Sequence, residues 1–600
     1  MLPTNARAFD RHSMNVEPRF SYRAIPLPAI VLVALMVNAP LLLMQLPAGT
    51  FDANFHIFFA SHYAHHWFSP WNEKWFAGFS QTTYPPLTHQ WIALLSNVFG
   101  LNVGYGLVQL AALLLLPVGV YRFGKLWVDD RSASYAALGS IFLGAVAFMV
   151  YQAGQLATVA ATALYLNALP YFYEWSRLGE WRSLIKGLAM SLAAAAAHHV
   201  SLIFGLVFFA LPVMALALMD ASDNPEENRL ENKKTSSTGV AMRAAVFAGL
   251  AGIGIGIVLL PYWISLIRHP VQQMPIPHDS RSNFLLNSIT GLNYFVIPYG
   301  LLLLALPFVL VRGMSERRLR PLLLGCWLAF IFGLGGTTPL PRWLLGRAFE
   351  VITFERFTFW AVLLAMPITG LLFVKVVDRF GGKGAAGLAL ASVATFGAAL
   401  AWATNNPYRP ASVLDVNPVI SFLNRDGHGD YRYLTLGFGS ALAKVSTYAN
   451  ANSVDGDYNS ARLLPEMTHH GSAQFTNAKF YGTAGMDSLR DMLKHANRYG
   501  LKYVFVHDPY YEPMLTFSGW RKIETYGGGE ITAWSKGDVP PARKIESDAM
   551  PAPWEGLMWG ILPMSTSVLV ILLELLWPAT RRALKTAGTP VYVPERSIAS

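Results

Sequence analysis

Apolar runs of spanning length recur along this chain, separated by polar segments whose charges are mostly Lys and Arg. A run of about 18 or more apolar residues reads as a membrane-crossing helix. The first run covers residues 25–46, after Arg7, Arg11, Arg19 and Arg23. Others lie near 103–121, 133–151 and 156–174. Two more meet near His198 and His199 and end about Met219, as a helical hairpin with its turn outside. Later runs lie near 241–262, 294–311, 321–336, 358–376, 384–403 and 555–577. The pattern predicts about twelve spans. Alternate ends are basic: Arg122, Lys125 and Arg131; Arg312, Arg317, Arg318 and Arg320; Lys375, Arg379 and Lys383; Arg581, Arg582 and Lys585. Such residues mark cytoplasmic loops, so both termini are expected in the cytoplasm.

Two stretches break the pattern. Residues 48–91 are too polar to cross a bilayer and too aromatic to float in water. They are expected to lie along the outer membrane surface with their rings at headgroup depth. Within them, residues 87–99 read as a helix too short to span. Residues 404–553 alternate polar and apolar positions without a spanning run. There, 431–438 and 502–508 read as strands, and 486–500 as an amphipathic helix capped by Gly500. Helix followed by strand predicts an α/β domain, placed outside by parity. The expected layout is a transmembrane domain 1–403, an extracytoplasmic α/β domain 404–553, and a last helix with a cytoplasmic tail, 554–600.

Composition agrees. Hydrophobic residues make up 53% of the 600 and charged ones 14%, which excludes an ordinary soluble protein. The net charge of +10 is that of basic inner loops, so nucleic acid is not an expected partner. The one cysteine, Cys326, rules out an intramolecular disulfide. The first run lacks a small-residue cleavage site and reads as a retained helix.

Asp52 follows the first span directly. A carboxylate at the membrane face among aromatic residues suits a general base or a cation ligand, and equally a helix N-cap for Ala53-Asn54-Phe55. His56 shares its helical face at i+4 and is the second catalytic or metal-ligand candidate. His62, His65 and His66 repeat that spacing without an HExxH motif and read as interfacial. Trp71, Trp75 and Tyr84 suit either sugar stacking or membrane anchoring. His198 and His199 sit at a predicted helix end, where an ionisable pair faces a cavity or water. Glu355 and Arg356 precede the tenth span; Arg356 suits a phosphate, or an ion pair with Glu355. Arg268, Arg281, Arg342 and Arg347 are further outer-face cations.

The first-loop aspartate, the run Trp71 to Gly78 (WNEKWFAG), Tyr84-Pro85-Pro86-Leu87 and the late soluble domain resemble the GT-C superfamily of polytopic glycosyltransferases. Glu355-Arg356-Phe357-Thr358-Phe359-Trp360, together with the first loop, looks most like putative bacterial and archaeal membrane proteins labelled 6-pyruvoyl-tetrahydropterin-synthase-related. Nothing in the chain forms a pterin site. The resemblance implies a mostly α, multi-pass enzyme of the cytoplasmic membrane. It would move a sugar from a polyprenyl-phosphate or pyrophosphate donor to a glycan, lipid or protein acceptor at the outer face. Asp52 and His56 would be catalytic, and Tyr84, His198, His199, Glu355, Arg356, Arg268 and Trp75 would bind substrate. The first loop reads Asp52-Ala53-Asn54 and lacks the paired carboxylates that hold a metal in oligosaccharyltransferase-like members. A divalent cation, with Asp52 and His56 as ligands, therefore stays open. So do two other readings: a transporter or flippase, disfavoured by the absence of internal symmetry, and a non-catalytic envelope scaffold.

Overall fold

The computed structural model describes residues 23–223, 236–275, 277–405 and 414–577. Arg7, Arg11, Arg19, Arg581, Arg582 and Lys585, on which the position of the termini rests, lie outside the described residues. Helix α1, Leu27–Leu43, is followed by α2, Ala53–His65, and α3, Leu87–Phe99. Then come α4, Leu101–Gly124, α5, Asp130–Ala153, and α6, Leu156–Leu178. Next are α7, Trp181–Ser222, α8, Ser237–Val258, α9, Glu355–Asn405, and α10, Pro553–Leu576.

Among the described residues, six of these helices (α4, α5, α7, α8, α9 and α10) are long and apolar enough to cross a membrane. The bent pair Ser288–Tyr299 and Leu302–Ser315 makes a seventh if it counts as one span. Two of the six exceed any single crossing. At 1.5 Å per residue a straight helix the length of α7 or α9 would run roughly 60–80 Å, against about 30 Å of hydrocarbon. Both double back.

In α7, Ser183 near one end bonds Glu174 and Asp220 near the other bonds Tyr173, so both ends meet the same turn of α6. The reversal falls at His198, extended at φ −162°, ψ 96°. In α9, Glu355 bonds Gln155, and Trp402 bonds Asn293, itself the partner of Gln152. Asp378, midway, pairs with Arg131 at the far end of α5. The reversal is Gly381, at φ +58°, ψ −139°, a conformation that essentially only glycine adopts. Six helices and about twelve expected spans thus differ partly because α7 and α9 each hold two apolar arms. Leu304, Leu390 and Met242 stand exposed on the outer surface of the bundle, as lipid-facing side chains do.

Residues 414–552 carry a four-stranded mixed sheet in the order β3-β4-β6-β5. Two short strands of the first loop, β1, Trp71–Asn72, and β2, Phe79–Ser80, precede it. Strand β3, Arg432–Leu436, runs parallel to β4, Leu501–Val506. The crossover between them contains the amphipathic helix, which begins at Gly482, earlier than the periodicity predicts, and is interrupted at His495. Strands β5, Arg521–Tyr526, and β6, Ile531–Ser535, form the antiparallel edge.

The first loop departs from its expected place. Six of its rings are packed inside the protein. Phe55, Phe58, Phe59, Trp75, Phe76 and Phe79 share one core with Leu434, Val504 and Trp520 of the sheet domain. Trp75 stacks on Phe58 at 3.9 Å and donates its indole N–H to Ser446 at 2.8 Å. A large aromatic surface is stabilised more by close packing in a protein core than at a wet interface, so the loop becomes the floor of the sheet domain.

The hinge at Gly381 yields a test. A Cβ there meets nothing within 4 Å, so its cost is conformational alone. Gly381→Ala should destabilise by about 1–3 kcal/mol, seen as a lower melting temperature of the detergent-solubilised protein. An unchanged melting temperature would mean that the chain does not reverse there.

Candidate active site

Asp52 is the residue just before α2, and three backbone contacts fix it. Its N–H donates to the Ala153 carbonyl at 3.0 Å, its carbonyl receives the His56 N–H at 3.0 Å, and Phe51 N–H reaches the Gln152 carbonyl. The approach is close because residue 154 is glycine. A Cβ there would stand 2.2 Å from Thr50 Oγ1 and 3.0 Å from the Ala53 nitrogen, and its φ is +75°. The carboxylate makes no side-chain cap to α2. Among the described residues it has neither an ion pair nor a hydrogen-bond donor, which removes the N-cap reading.

Across the same space lie Glu355 and Arg356, at the start of α9. Glu355 is buried and receives hydrogen bonds from Gln155 Nε2 and Thr353 Oγ1. The Glu355–Arg356 ion pair considered from the sequence does not form. Arg356 instead donates to Thr353 Oγ1 at 2.9 Å and leaves its Nε without a partner. Segment 152–155 therefore holds Asp52 by a main-chain bond and Glu355 by a side-chain bond.

The sheet domain closes the site from above. Asp455, fully buried, accepts the N–H groups of Phe475 and Thr476 and stiffens the loop beyond it. Gly456 lets that loop press on the first outer loop: a Cβ would meet Phe76 at 2.7 Å and Trp75 at 2.9 Å. Asp457 is thereby brought close enough for its charge to act on Asp52. Tyr458 packs against Phe55 and Tyr84 and donates to the Thr83 carbonyl at 2.6 Å.

Burial, then the charges of Asp457 and Glu355, lift Asp52 from 3.8 to about 7, while Arg356 pulls the other way. Burial also raises Asp457, with the Gln474 hydrogen bond opposing it. Tyr84 is raised by burial and by the Asp52 charge, which places its hydroxyl within reach of that field. Its ring lies 6.3 Å from that of His198, the reversal residue of α7.

The remaining candidates fall elsewhere. His56 faces His89, Nδ1 to Nε2 at 2.9 Å, and burial lowers its pKa to about 3, so it is neutral. With that nitrogen committed to His89, it is poorly placed as a partner or metal ligand for Asp52. His199 lies against Tyr262 and opens on an apolar cavity. Trp75 is fully buried, so it cannot stack on a sugar. Arg268 is corrected as well: it pairs with Glu555 at 3.1 Å. Arg281 donates to the Ile352 carbonyl, three residues before Glu355. Among the described residues no three His, Cys, Asp or Glu side chains group to hold a metal ion. Glu355 and Asp457 also commit an oxygen each to Gln155 and Gln474.

Residues 4–447 match the family model described as family of unknown function DUF6541. The chain belongs to the DUF6541 family. No pterin-synthase-related name accompanies this DUF6541 match. No curated protein matches the chain. Among solved structures, ArnT from Cupriavidus metallidurans bound to undecaprenyl phosphate aligns with a TM-score of 0.52 at 11% identity, over 86% of this chain and 99% of that one. The arabinofuranosyltransferase AftD from Mycobacteria aligns at 0.50 and 12% identity, over 86% of this chain and 42% of that one. The Archaeoglobus fulgidus oligosaccharyltransferase aligns at 0.48 and 13%, over 86% and 75%. This DUF6541 protein thus has the fold of GT-C glycosyltransferases and is a multi-pass membrane protein.

Asp457, His89 and Gln155 escaped the sequence reading. The sequence signal for the first was Asp455-Gly456-Asp457-Tyr458, a paired-carboxylate motif located in the sheet domain instead of the first loop.

The raised Asp52 predicts a pH-dependent stability. The folded chain binds its proton more tightly than the unfolded chain, so this contribution is full below 3.8 and is lost as pH rises through about 7. Asp52→Asn should raise the melting temperature by a few degrees at pH 8 and by clearly less at pH 5. An equal shift at both values would contradict the raised acid.

Proposed function

We propose that this protein is a glycosyltransferase that moves a sugar from a polyprenyl-phosphate or pyrophosphate donor to an acceptor hydroxyl at the outer face of the cytoplasmic membrane. One observation carries the reading: a carboxylate without an ion pair, Asp52, lies within the field of a guanidinium, Arg356, that makes no ion pair among the described residues. A half-buried charge without a partner is partly desolvated and gains when one arrives. An acceptor hydroxyl for the acid and a phosphate for the arginine are such partners.

Asp52 takes the proton of the acceptor hydroxyl as the oxygen bonds to the anomeric carbon of the donor sugar. The bond from that carbon to the phosphate oxygen breaks, and its electron pair leaves on the polyprenyl phosphate. Arg356, with Arg281 near by, offsets the charge that develops there, where stabilisation accelerates the reaction most. Tyr84 and His198 wall the space between them.

An apolar cavity of about 480 Å³ between α6, α7 and α8 supports a lipid-linked donor. His199 lines it, next to His198 at the site, so a prenyl tail in the cavity would bring its phosphate towards Arg356. The likeness to ArnT, whose structure holds undecaprenyl phosphate, fits this arrangement. The twelve-span topology is part of the proposal. Asp52 bonds the end of α5 opposite Arg131, and basic residues gather at the Arg131 end, which would put the site and the sheet domain outside.

The test is transfer by the purified protein in membranes, with labelled polyprenyl-phosphate sugars and an envelope-glycan extract. Asp52→Ala and Asp52→Asn should lower the rate at least about 100-fold, and Arg356→Ala about 100-fold through loss of leaving-group stabilisation. The wild-type rate should rise with pH and level off above about 7, because only ionised Asp52 accepts a proton. Full transfer by both Asp52 variants would reject Asp52 as the base. Movement of the lipid across sealed vesicles without a glycosyl bond would favour a flippase.

A further inference from the structure

The roof of the site carries a carboxylate that the transfer step does not use. Asp457 Oδ1 accepts a hydrogen bond from Gln474 Nε2 at 2.5 Å. Its other oxygen receives none among the described residues, and the side chain is half-buried, so it keeps an open side. The loop that carries it is fixed at three points. Asp455 accepts the N–H groups of Phe475 and Thr476, Gly456 rests on Trp75 and Phe76, and Tyr458 bonds the Thr83 carbonyl. Asp457 is therefore a placed group. Of the charges that act on Asp52, also half-buried, that of Asp457 is the strongest.

The two acids narrow what can stand between them. An ionised carboxylate accepts hydrogen bonds and donates none, so a ligand must bring a donor to each. An anionic group is repelled by both. A simple alcohol has one hydroxyl, which the transfer step directs to Asp52, and leaves Asp457 unmet. Tyr84 and Tyr458, half-buried with ring centres 5.6 Å apart, add aromatic surface beside Asp52 and Asp457, and such surface suits carbon–hydrogen faces. Several hydroxyls on an apolar carbon frame, without negative charge, describe an uncharged sugar.

We propose that Asp457 binds the acceptor, taking a hydrogen bond from a second hydroxyl while Asp52 takes the proton of the first, and that the acceptor is an uncharged saccharide and not a phosphorylated lipid or an acidic glycan. The proposal rests on the transferase reading and adds the class of acceptor, which that reading leaves open. No bond is made or broken at Asp457.

The experiment uses the full chain in membranes, labelled polyprenyl-phosphate sugars, and the envelope-glycan extract separated by anion exchange into an uncharged and an acidic pool. Wild type should transfer to the uncharged pool at least about tenfold better. Asp457→Asn keeps the shape and can keep the Gln474 bond. It should raise the half-saturating concentration of the uncharged pool about tenfold, because a charged acceptor of the hydrogen bond becomes a neutral one. The half-saturating donor concentration should stay as in wild type, and the preference against the acidic pool should shrink. Asp457→Ala should do the same more strongly. A slower rate with both half-saturating concentrations unchanged would make Asp457 a support of the fold and overturn the proposal, with the transferase reading intact. Equal transfer to both wild-type pools would overturn the assigned class. Transfer abolished by a chelator and restored by manganese would give Asp457 to a cation instead. No transfer by wild type to either pool would reject the transferase reading, and this proposal with it.

Discussion

A carboxylate taken out of bulk water needs either a cation in contact or several donors, and Asp52 has neither among the described residues. The fold enforces this. Segment 152–155 fixes the main chain of Asp52 from below, and the missing side chain of Gly154 lets it come close. Arg356, the cation whose charge opposes the rise of Asp52, is turned to Thr353. Arg281 is turned to a carbonyl and Arg268 to Glu555. The two opposite charges are near enough to sense each other and are kept from pairing. Nearly every other feature of the site serves that separation.

The sheet domain belongs to the same constraint. Without it, the first loop would expose Phe58, Phe59, Trp75 and Phe79 to water, and Asp52 would be better solvated. Covering the loop buries those rings and brings Asp457 towards Asp52, which adds like charge to desolvation and moves the acid towards neutrality. Trp75 illustrates the exchange: a ring that reads as a sugar platform is the core residue that anchors the roof.

The sequence made the membrane helices, the short α3 and the alternation of helix and strand after residue 430 legible, because each has a local period. It also pointed to Asp52, Tyr84, Glu355, Arg356 and His198, which the fold gathers from four distant segments. It did not reveal how they meet. The reversals themselves were legible: His198 falls at the expected hairpin turn, and Gly381 falls in the basic break between the spans 358–376 and 384–403. His56 shared a helical face with Asp52, but a helix has neighbours, and His89 of α3 claimed its ring. Asp457 was hidden for a different reason. Its partner in space lies some 400 residues earlier, a pairing that no local period encodes.

That long separation bears on how the site assembles. Asp457 acts on Asp52 only after the sheet domain has docked on the first loop, and the docking surface is the aromatic core itself. The apolar contacts form regardless of protonation, so the packing sets the acid's environment. A partner that loosened the roof would solvate Asp52 and lower its pKa towards the ordinary carboxylate range, where it is a weaker base. The packing of Trp75 and Phe76 against Gly456 is therefore more than a support: it sets how strongly the acid in the space below holds its proton.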